Sequence, residues 1–248
     1  MRFYFEIFFI FLIGFVLAGC GISDQSSKNF YIKVDVEATY GGKPVSGSAV
    51  LMQPMIGSSQ GFTRGEAISI DLGNGKSAYM LLVDRQNLTR IYAGAIVRSF
   101  EPIYNPENSR MKTEKREELL FKIPVGTRAE WKYKKTGFNP GGEYSGYPLL
   151  VAFEDKNDPT SVFLVETEKS TRLFNKTFKL NKIYVERVAA SNPLTEVIEN
   201  ELPWVNPRHP HWDGAVWITL DHTSTPGESV PRSEMPFAQK INRNMFKS

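Results

Sequence analysis

Apolar side chains occupy every second position near the start of the main part of the chain, and this pattern constrains the fold most. The apolar positions are Phe30, Ile32, Val34, Val36 and Ala38. Successive side chains of a strand point to opposite faces, so this spacing predicts a strand with one buried face and one polar face.

A hairpin is predicted shortly afterwards. The alternating residues 67–72 lead through Gly73-Asn74-Gly75 into residues 78–83. An Asn-Gly pair between two strand-like segments is typical of a tight hairpin turn. Residues 78–83 are apolar on both faces, which predicts a central strand covered on both sides.

The remaining patterns favour the same class of fold. Further strands are predicted at 45–53, 129–133, 149–153, 161–166, 182–188 and 215–220. Two helices are predicted, one charge-rich over 111–121 and one that begins at Pro193, after an Asn192 cap, and ends before Pro203. We therefore expect a mainly β domain, antiparallel and sandwich-like, or an α+β domain with two minor helices.

The first twenty residues have the composition of a secretion signal. Arg2 precedes an apolar run over residues 7–16, which leads into Leu17-Ala18-Gly19-Cys20. The run is short for a bilayer span, and small residues before a cleavage site are typical of signal peptides. This segment resembles a bacterial lipoprotein signal, which implies that Cys20 is acylated after residues 1–19 are removed.

The resemblance also implies a location in the cell envelope. Residue 21 is glycine, whereas an aspartate there favours retention in the inner membrane of enterobacteria. We therefore expect a protein on the periplasmic face of the outer membrane, with the lipid bilayer as a partner through acylated Cys20. An envelope protein or peptidoglycan is the further partner expected.

Composition excludes several classes of function. Cys20 is the only cysteine, so the mature chain is expected to have no disulfide, thiolate nucleophile or cysteine-bound metal. The net charge is +3, which gives no field strong enough to argue for nucleic acid. No cofactor is predicted.

The expected organisation has four parts. Residues 1–19 form the signal peptide, and the small polar residues of 20–29 form a lipidated tether. One β-rich domain is predicted over 30–222. The proline-containing, apolar-poor residues 223–248 are predicted to form a disordered tail.

Several short motifs lie along residues 30–205. They are Gly65-Glu66-Ala67, Asp71-Leu72-Gly73, Pro148-Leu149-Leu150-Val151, Asn157-Asp158-Pro159, Val185-Glu186, Ile198-Glu199 and Pro203-Trp204. Together they resemble a family of uncharacterised proteobacterial envelope proteins. The resemblance implies one domain over this range and carries no activity, ligand or catalytic residue.

The three histidines supply a candidate zinc site. His209, His211 and Asp213 lie two residues apart, so an extended segment would turn all three towards one Zn²⁺, with His222 as a further ligand. The segment superficially resembles the His-x-His-x-Asp motif of metallo-β-lactamase-like hydrolases. Gly214 replaces the histidine that continues that motif, and a proline-containing surface loop is the interpretation we adopt.

A glycine-rich aromatic segment, residues 137–147, supplies a candidate ligand site. Phe138, Tyr144 and Tyr147 are the aromatics that would stack on sugar rings or on a partner's apolar surface. The alternative is a long loop whose aromatics pack back onto the sheet. Neither segment pairs a nucleophile with a base, so the leading interpretation is a non-catalytic structural or binding module.

One further motif match is predicted to be a turn. Residues 154–158 cluster oxygen donors that suit Ca²⁺, but Pro159 follows and no glycine bends the chain.

The metal hypothesis makes a direct prediction. Because we interpret the histidine segment as a loop, the purified protein should contain no stoichiometric zinc, as measured by elemental analysis. Stoichiometric zinc that is lost on His211→Ala would contradict the non-catalytic interpretation and make hydrolysis the first activity to assay.

Overall fold

Strands dominate the part of the chain that the structure, a computed structural model, describes: residues 28–56, 59–60, 63–84, 96–107, 111–131, 136–139, 142–144, 148–167, 169–205 and 245–246. Two antiparallel sheets pack face to face, which confirms the predicted mainly β class.

The larger sheet has six strands. Its order is β11-β12-β1-β2-β3, and β6 pairs with the second half of β12. The strands are β1 (Lys28–Tyr40), β2 (Lys43–Ile56), β3 (Ser59–Gln60), β6 (Arg128–Glu130), β11 (Thr171–Leu173) and β12 (Lys176–Arg187). All pairings are antiparallel.

The period-two pattern of β1 sets the faces of this sheet. Its apolar positions are all fully buried in the core between the sheets, including Ile32 and Val34. The register places Leu51 of β2 opposite Ile32. Residues directly opposite in a pair share a face, so the neighbouring strands extend the same apolar surface.

The smaller sheet has the order β10-β9-β5-β4. Its strands are β4 (Ile68–Gly73), β5 (Lys76–Asp84), β9 (Pro148–Phe153) and β10 (Val162–Leu164). The strands β4 and β5 pair antiparallel around the Asn74 turn, as predicted, and Ile70, Leu81 and Val83 are buried as predicted.

Both faces of the smaller sheet are buried, but against different partners. Ile68, Ile70 and Met80 face the larger sheet. Tyr79, Leu81 and Val151 lie on the other face, which is covered by the C-terminal cover, defined as residues 198–205 and 245–246. The two covers explain why residues 78–83 are apolar at every position.

Part of the predicted C-terminal tail belongs to the core. Phe246 is fully buried, and its carbonyl accepts a hydrogen bond from the Ala67 N–H at 2.6 Å. For Met245 and Phe246 the prediction of a disordered tail therefore does not hold, because the apolar outer face of the smaller sheet binds these two side chains. Residues 206–244 lie outside the described residues.

The helices are short: α1 (Glu101–Tyr104), α2 (Thr113–Lys122) and α3 (Ile198–Glu201). The predicted helix over 111–121 corresponds to α2. Turns of 3-10 helix lie at Arg98–Phe100, Pro159–Ser161 and Pro203–Val205. No helix among the described residues combines the length and the apolar character that crossing a membrane requires.

The helix predicted from Pro193 was wrong at its start, because α3 begins at Ile198. Thr195 is instead held against the edge of β2, where its hydroxyl accepts from the Val50 N–H at 2.8 Å. Its own N–H donates to the Val50 carbonyl at 3.3 Å. These bonds hold residue 195 beside a strand, so helical structure starts only after it.

The two sheets approach each other closely at Gly47 of β2. A Cβ atom there would lie 2.1 Å from the Ser69 carbonyl oxygen of β4. No side chain fits at that separation, so this glycine is what allows the two strands to cross.

Core packing generates a stability prediction. Ile70→Ala should lower the free energy of unfolding by about 2–5 kcal/mol, because it leaves a cavity between the sheets. Lys179→Ala, on the exposed side of β12, is the control and should change it by no more than about 0.5 kcal/mol. Urea denaturation measures both, and an equal effect of the two substitutions would contradict the packing described.

Candidate functional site

Most of the residues singled out in the sequence lie outside the described residues. These are Cys20, Tyr147, His209, His211, Asp213 and His222. The lipid site and the metal site therefore stay predictions.

The glycine-rich aromatic segment contains a small hairpin. Its strands are β7 (Thr136–Asn139) and β8 (Gly142–Tyr144), which pair antiparallel with Thr136 opposite Tyr144. Phe138 and Tyr144 lie in these two strands. This segment, which lies between β6 and β9 in the chain, therefore forms a hairpin of its own. The ligand role of its aromatics stays a prediction.

The oxygen-rich segment before Pro159 is a turn, as predicted. The Asp155 carboxylate accepts from the Asn157 N–H at 2.9 Å, and the Asp158 carboxylate accepts from the Thr160 N–H at 2.8 Å. Both carboxylates thus satisfy the local backbone. Within the described ranges, His, Cys, Asp and Glu side chains form no group of three or more suited to a metal ion.

A polar cluster lies where the C-terminal cover meets the smaller sheet. We call it the Glu201 cluster, and its members are Ser69, Ser77, Tyr79, Lys156 and Glu201. One oxygen of the Glu201 carboxylate accepts from the Ser69 hydroxyl at 2.7 Å and from the Tyr79 hydroxyl at 3.0 Å. The Lys156 ammonium lies 3.9 Å from the same oxygen.

Tyr79 is the aromatic member of the cluster. Its side chain is fully buried, and its ring makes edge contacts with Phe153 and Phe246. Burial first, and then the negative charge of Glu201, raise the pKa of the Tyr79 phenol above its ordinary value. The phenol is therefore held as a neutral hydrogen-bond donor.

The cluster also contains the geometry of a serine–lysine pair. The Lys156 ammonium donates to the Ser77 hydroxyl at 3.0 Å. Such pairs serve as nucleophile and base in some hydrolases, where the lysine accepts the serine proton. Here Lys156 is engaged as a donor between a hydroxyl and a carboxylate, and Ser77 is buried. The arrangement is that of a structural hydrogen-bond network, in which Lys156 joins Ser77 to Glu201.

Glu201 is the last residue of α3, and a second carboxylate, that of Glu66, binds the start of this helix. Glu66 is buried, and its carboxylate accepts from the N–H groups of Val197 and Ile198 at 2.5 and 2.9 Å. Backbone N–H groups at a helix start have no partner within the helix, and a negative charge there is favourable. Glu66 and Glu201 thus fasten both ends of α3 to the domain.

The outward face of the larger sheet carries a different arrangement. We call it the charged face, and its members are Lys33, Asp35, Glu37, Arg128, Lys182 and Tyr184. They come from the neighbouring strands β1, β12 and β6. The register of β1 and β12 places Tyr184 opposite Asp35 and Lys182 opposite Glu37. The polar positions of the β1 pattern thus gather on one surface.

Arg128 lies at the centre of the charged face. Its guanidinium is 3.5 Å from Asp35, 3.6 Å from Glu37 and 4.0 Å from the centre of the Tyr184 ring. Lys182 is also near this ring, and its hydrogen bond with Tyr184 raises its pKa. The Arg128 and Glu37 side chains are 45% and 48% exposed, so both signs of charge are open to solvent.

Sequence reasoning missed both arrangements. Tyr79 places a hydroxyl in an otherwise apolar segment, which is a signal that something polar packs over it, whereas Ser69 is an ordinary polar position of the alternating strand before it. Nothing in the sequence indicated that the partner would be Glu201, which is more than a hundred residues away.

Comparison with known proteins gives no family. No family model matches the chain, and a search of the curated proteins finds no match either. Among solved structures, the crystal structure of a DUF1329 family protein from Desulfovibrio piger is similar at 10% identity, over 68% of this chain and 88% of that chain, with a TM-score of 0.17. A similarity at this level carries no argument about fold or activity. The resemblance to envelope proteins stays a prediction.

The Tyr79 hydroxyl generates a pH-dependent prediction. At neutral pH, Tyr79→Phe should lower the free energy of unfolding by about 1.5–3 kcal/mol, since it removes a buried hydrogen bond to a carboxylate. The folded-state pKa is raised, so the stability that the phenol contributes is present below its unfolded pKa of about 10 and is lost as pH rises above it.

The difference between the wild type and the variant should therefore shrink by about 1.4 kcal/mol per pH unit above about pH 10. Denaturation at a series of alkaline pH values measures it. A difference that stays constant would contradict the buried, neutral state of Tyr79.

Proposed function

We propose that the chain is a lipid-anchored protein of the bacterial cell envelope, held on the periplasmic face of the outer membrane through acylated Cys20. The Leu17-Ala18-Gly19-Cys20 sequence carries this proposal. Cysteine directly after these small residues is the feature that an ordinary signal peptide does not need. Gly21 favours the outer membrane over the inner one.

Lipid attachment accounts for how the domain would stay at a membrane. Each buried methylene of an acyl chain contributes about 0.8 kcal/mol, so one chain holds a protein only reversibly and two or three hold it stably. A lipoprotein cysteine carries a diacylglycerol and an acylated amino group.

The domain itself is proposed to be a non-catalytic structural or binding module. The charged face supports a binding role, because it offers both signs of charge and an aromatic ring on one accessible surface. A partner of mixed charge, either an envelope protein or the peptide part of peptidoglycan, is complementary to such a surface. The Glu201 cluster supports a structural interpretation of the polar groups on the smaller sheet.

The partner class is open to a direct experiment. A pull-down with purified cell-wall sacculi should retain the protein if peptidoglycan is the partner, and Arg128→Glu should reduce that retention. The hairpin that contains Phe138 and Tyr144 is the alternative sugar-binding surface. If this hairpin binds the sacculi, alanine at these two positions should reduce retention and Arg128→Glu should not.

The anchor generates its own prediction. Cys20→Ser should abolish incorporation of radioactive palmitate and block removal of residues 1–19, because no thiol remains at the processing site. The matched control is Cys20→Ser combined with Ser23→Cys. This variant restores a thiol three residues away, outside the Leu-Ala-Gly context, and should remain unlabelled. Palmitate found on Cys20→Ser would show that the anchor is wrongly placed.

A further inference from the structure

We propose that the domain rests on the bilayer through two apolar turns beside the start of β1, formed by Pro102 with Ile103 and by Pro124 with Val125. The inference rests on the lipid anchor proposed above, and it specifies which surface of the domain faces the membrane. The occupant of this surface is the lipid bilayer in which the acyl chains of Cys20 are embedded.

The length of the tether limits which end of the domain can face the lipid. Cys20 lies eight residues before Lys28, the first residue of β1. An extended chain spans at most about 3.6 Å per residue, so this tether reaches at most about 29 Å. A domain of roughly 180 residues is about 40 Å across. The end of the domain opposite the start of β1 therefore cannot contact the bilayer.

The hairpin of β1 and β2 shows that the domain is about this long. β1 has 13 residues, which at about 3.3 Å per residue separates its ends by about 40 Å. Lys43, the first residue of β2, lies at the far end of this hairpin. The start of β1 and Lys43 thus mark two opposite ends of the domain.

Both apolar turns lie at the end where β1 starts. The Phe30 ring contacts the rings of Phe100 and Phe121 at 6.1 and 5.7 Å between centroids. Phe100 directly precedes α1, which contains Ile103, and Phe121 lies in the last turn of α2, shortly before Val125. The aromatic contacts therefore bring both turns next to the third residue of β1.

Backbone pairing fixes the second turn in the same place. The Gly126 N–H donates to the Arg187 carbonyl at 2.8 Å, and the Arg187 N–H donates to the Thr127 carbonyl at 2.9 Å. Arg187 lies opposite Ile32 of β1. Val125 therefore lies at the tip of a turn that extends the larger sheet at the end where β1 begins.

These turns present aliphatic side chains to the outside. Val125 is 58% exposed and Ile103 is 47% exposed, and the proline before each is exposed as well. Among the residues whose side-chain exposure the structure describes, only two other large apolar side chains, Leu164 and Val197, are exposed to a comparable degree.

Two aliphatic side chains do not hold a free protein on a membrane, but the anchored domain is already there. Tethering makes the contact intramolecular, with an effective concentration in the millimolar range for a short linker. Under that condition the contact only has to favour one orientation of the domain, and its strength scales with the apolar area that is buried.

Site-directed labelling tests the orientation. Because Cys20 is the only cysteine and its sulfur would be held in the lipid thioether, Val125→Cys supplies a single free thiol for a nitroxide. The full-length lipidated protein is reconstituted in vesicles of phosphatidylethanolamine and phosphatidylglycerol. On reconstitution the nitroxide at position 125 should show a several-fold loss of collisions with a water-soluble nickel chelate and more collisions with oxygen. Lys43→Cys is the control and should show neither change.

A second variant separates the surface from the anchor. Ile103→Asp in the Val125→Cys background should restore access of the nickel chelate while the protein still floats with the vesicles. Protein that floats with labels equally accessible at positions 125 and 43 would overturn the membrane-facing surface and leave the anchor intact. Protein that does not float would overturn the anchor and this inference together.

Discussion

The structure depends on one constraint: the smaller sheet is apolar on both faces and needs two covers. The larger sheet provides the first cover through the inward side chains of β1, β2 and β12. The second comes from the C-terminal cover, where Trp204 and Phe246 pack edge to face at 5.3 Å over Phe153 and Tyr79. Without that cover, the side chains of β5 and β9 would expose a large apolar surface to water.

The polar groups near this surface are best understood through the same constraint. Glu66 and Glu201 lie at the two ends of α3, and each accepts two hydrogen bonds, from the Val197 and Ile198 N–H groups and from the Ser69 and Tyr79 hydroxyls respectively. A four-residue helix has little stability of its own. It persists because the carboxylates and the apolar side chains of the cover fix it from both sides.

The outward face of the larger sheet takes no part in covering the smaller sheet. Its polar residues make ion pairs with partly exposed partners, and such pairs contribute little to stability. Their arrangement around Arg128 therefore leaves a surface suited to a partner, in keeping with the proposed binding module. In the proposed orientation, the apolar turns beside the start of β1 would face the membrane and this charged face would stay open to a partner.

The sequence by itself determined the strands, because a period of two is a local property: the alternation in β1 and the Asn74 turn specify one strand and one hairpin without reference to the rest of the chain. It also indicated through residues 78–83 that a central strand would be covered twice. Only the tertiary structure decided what the second cover is. Phe246 lies in a segment whose composition is typical of disorder, and α3 begins five residues after its apparent start, since contacts with β2, Glu66 and Ala67 override local propensity. Those contacts join residues more than a hundred positions apart, and no local pattern records them.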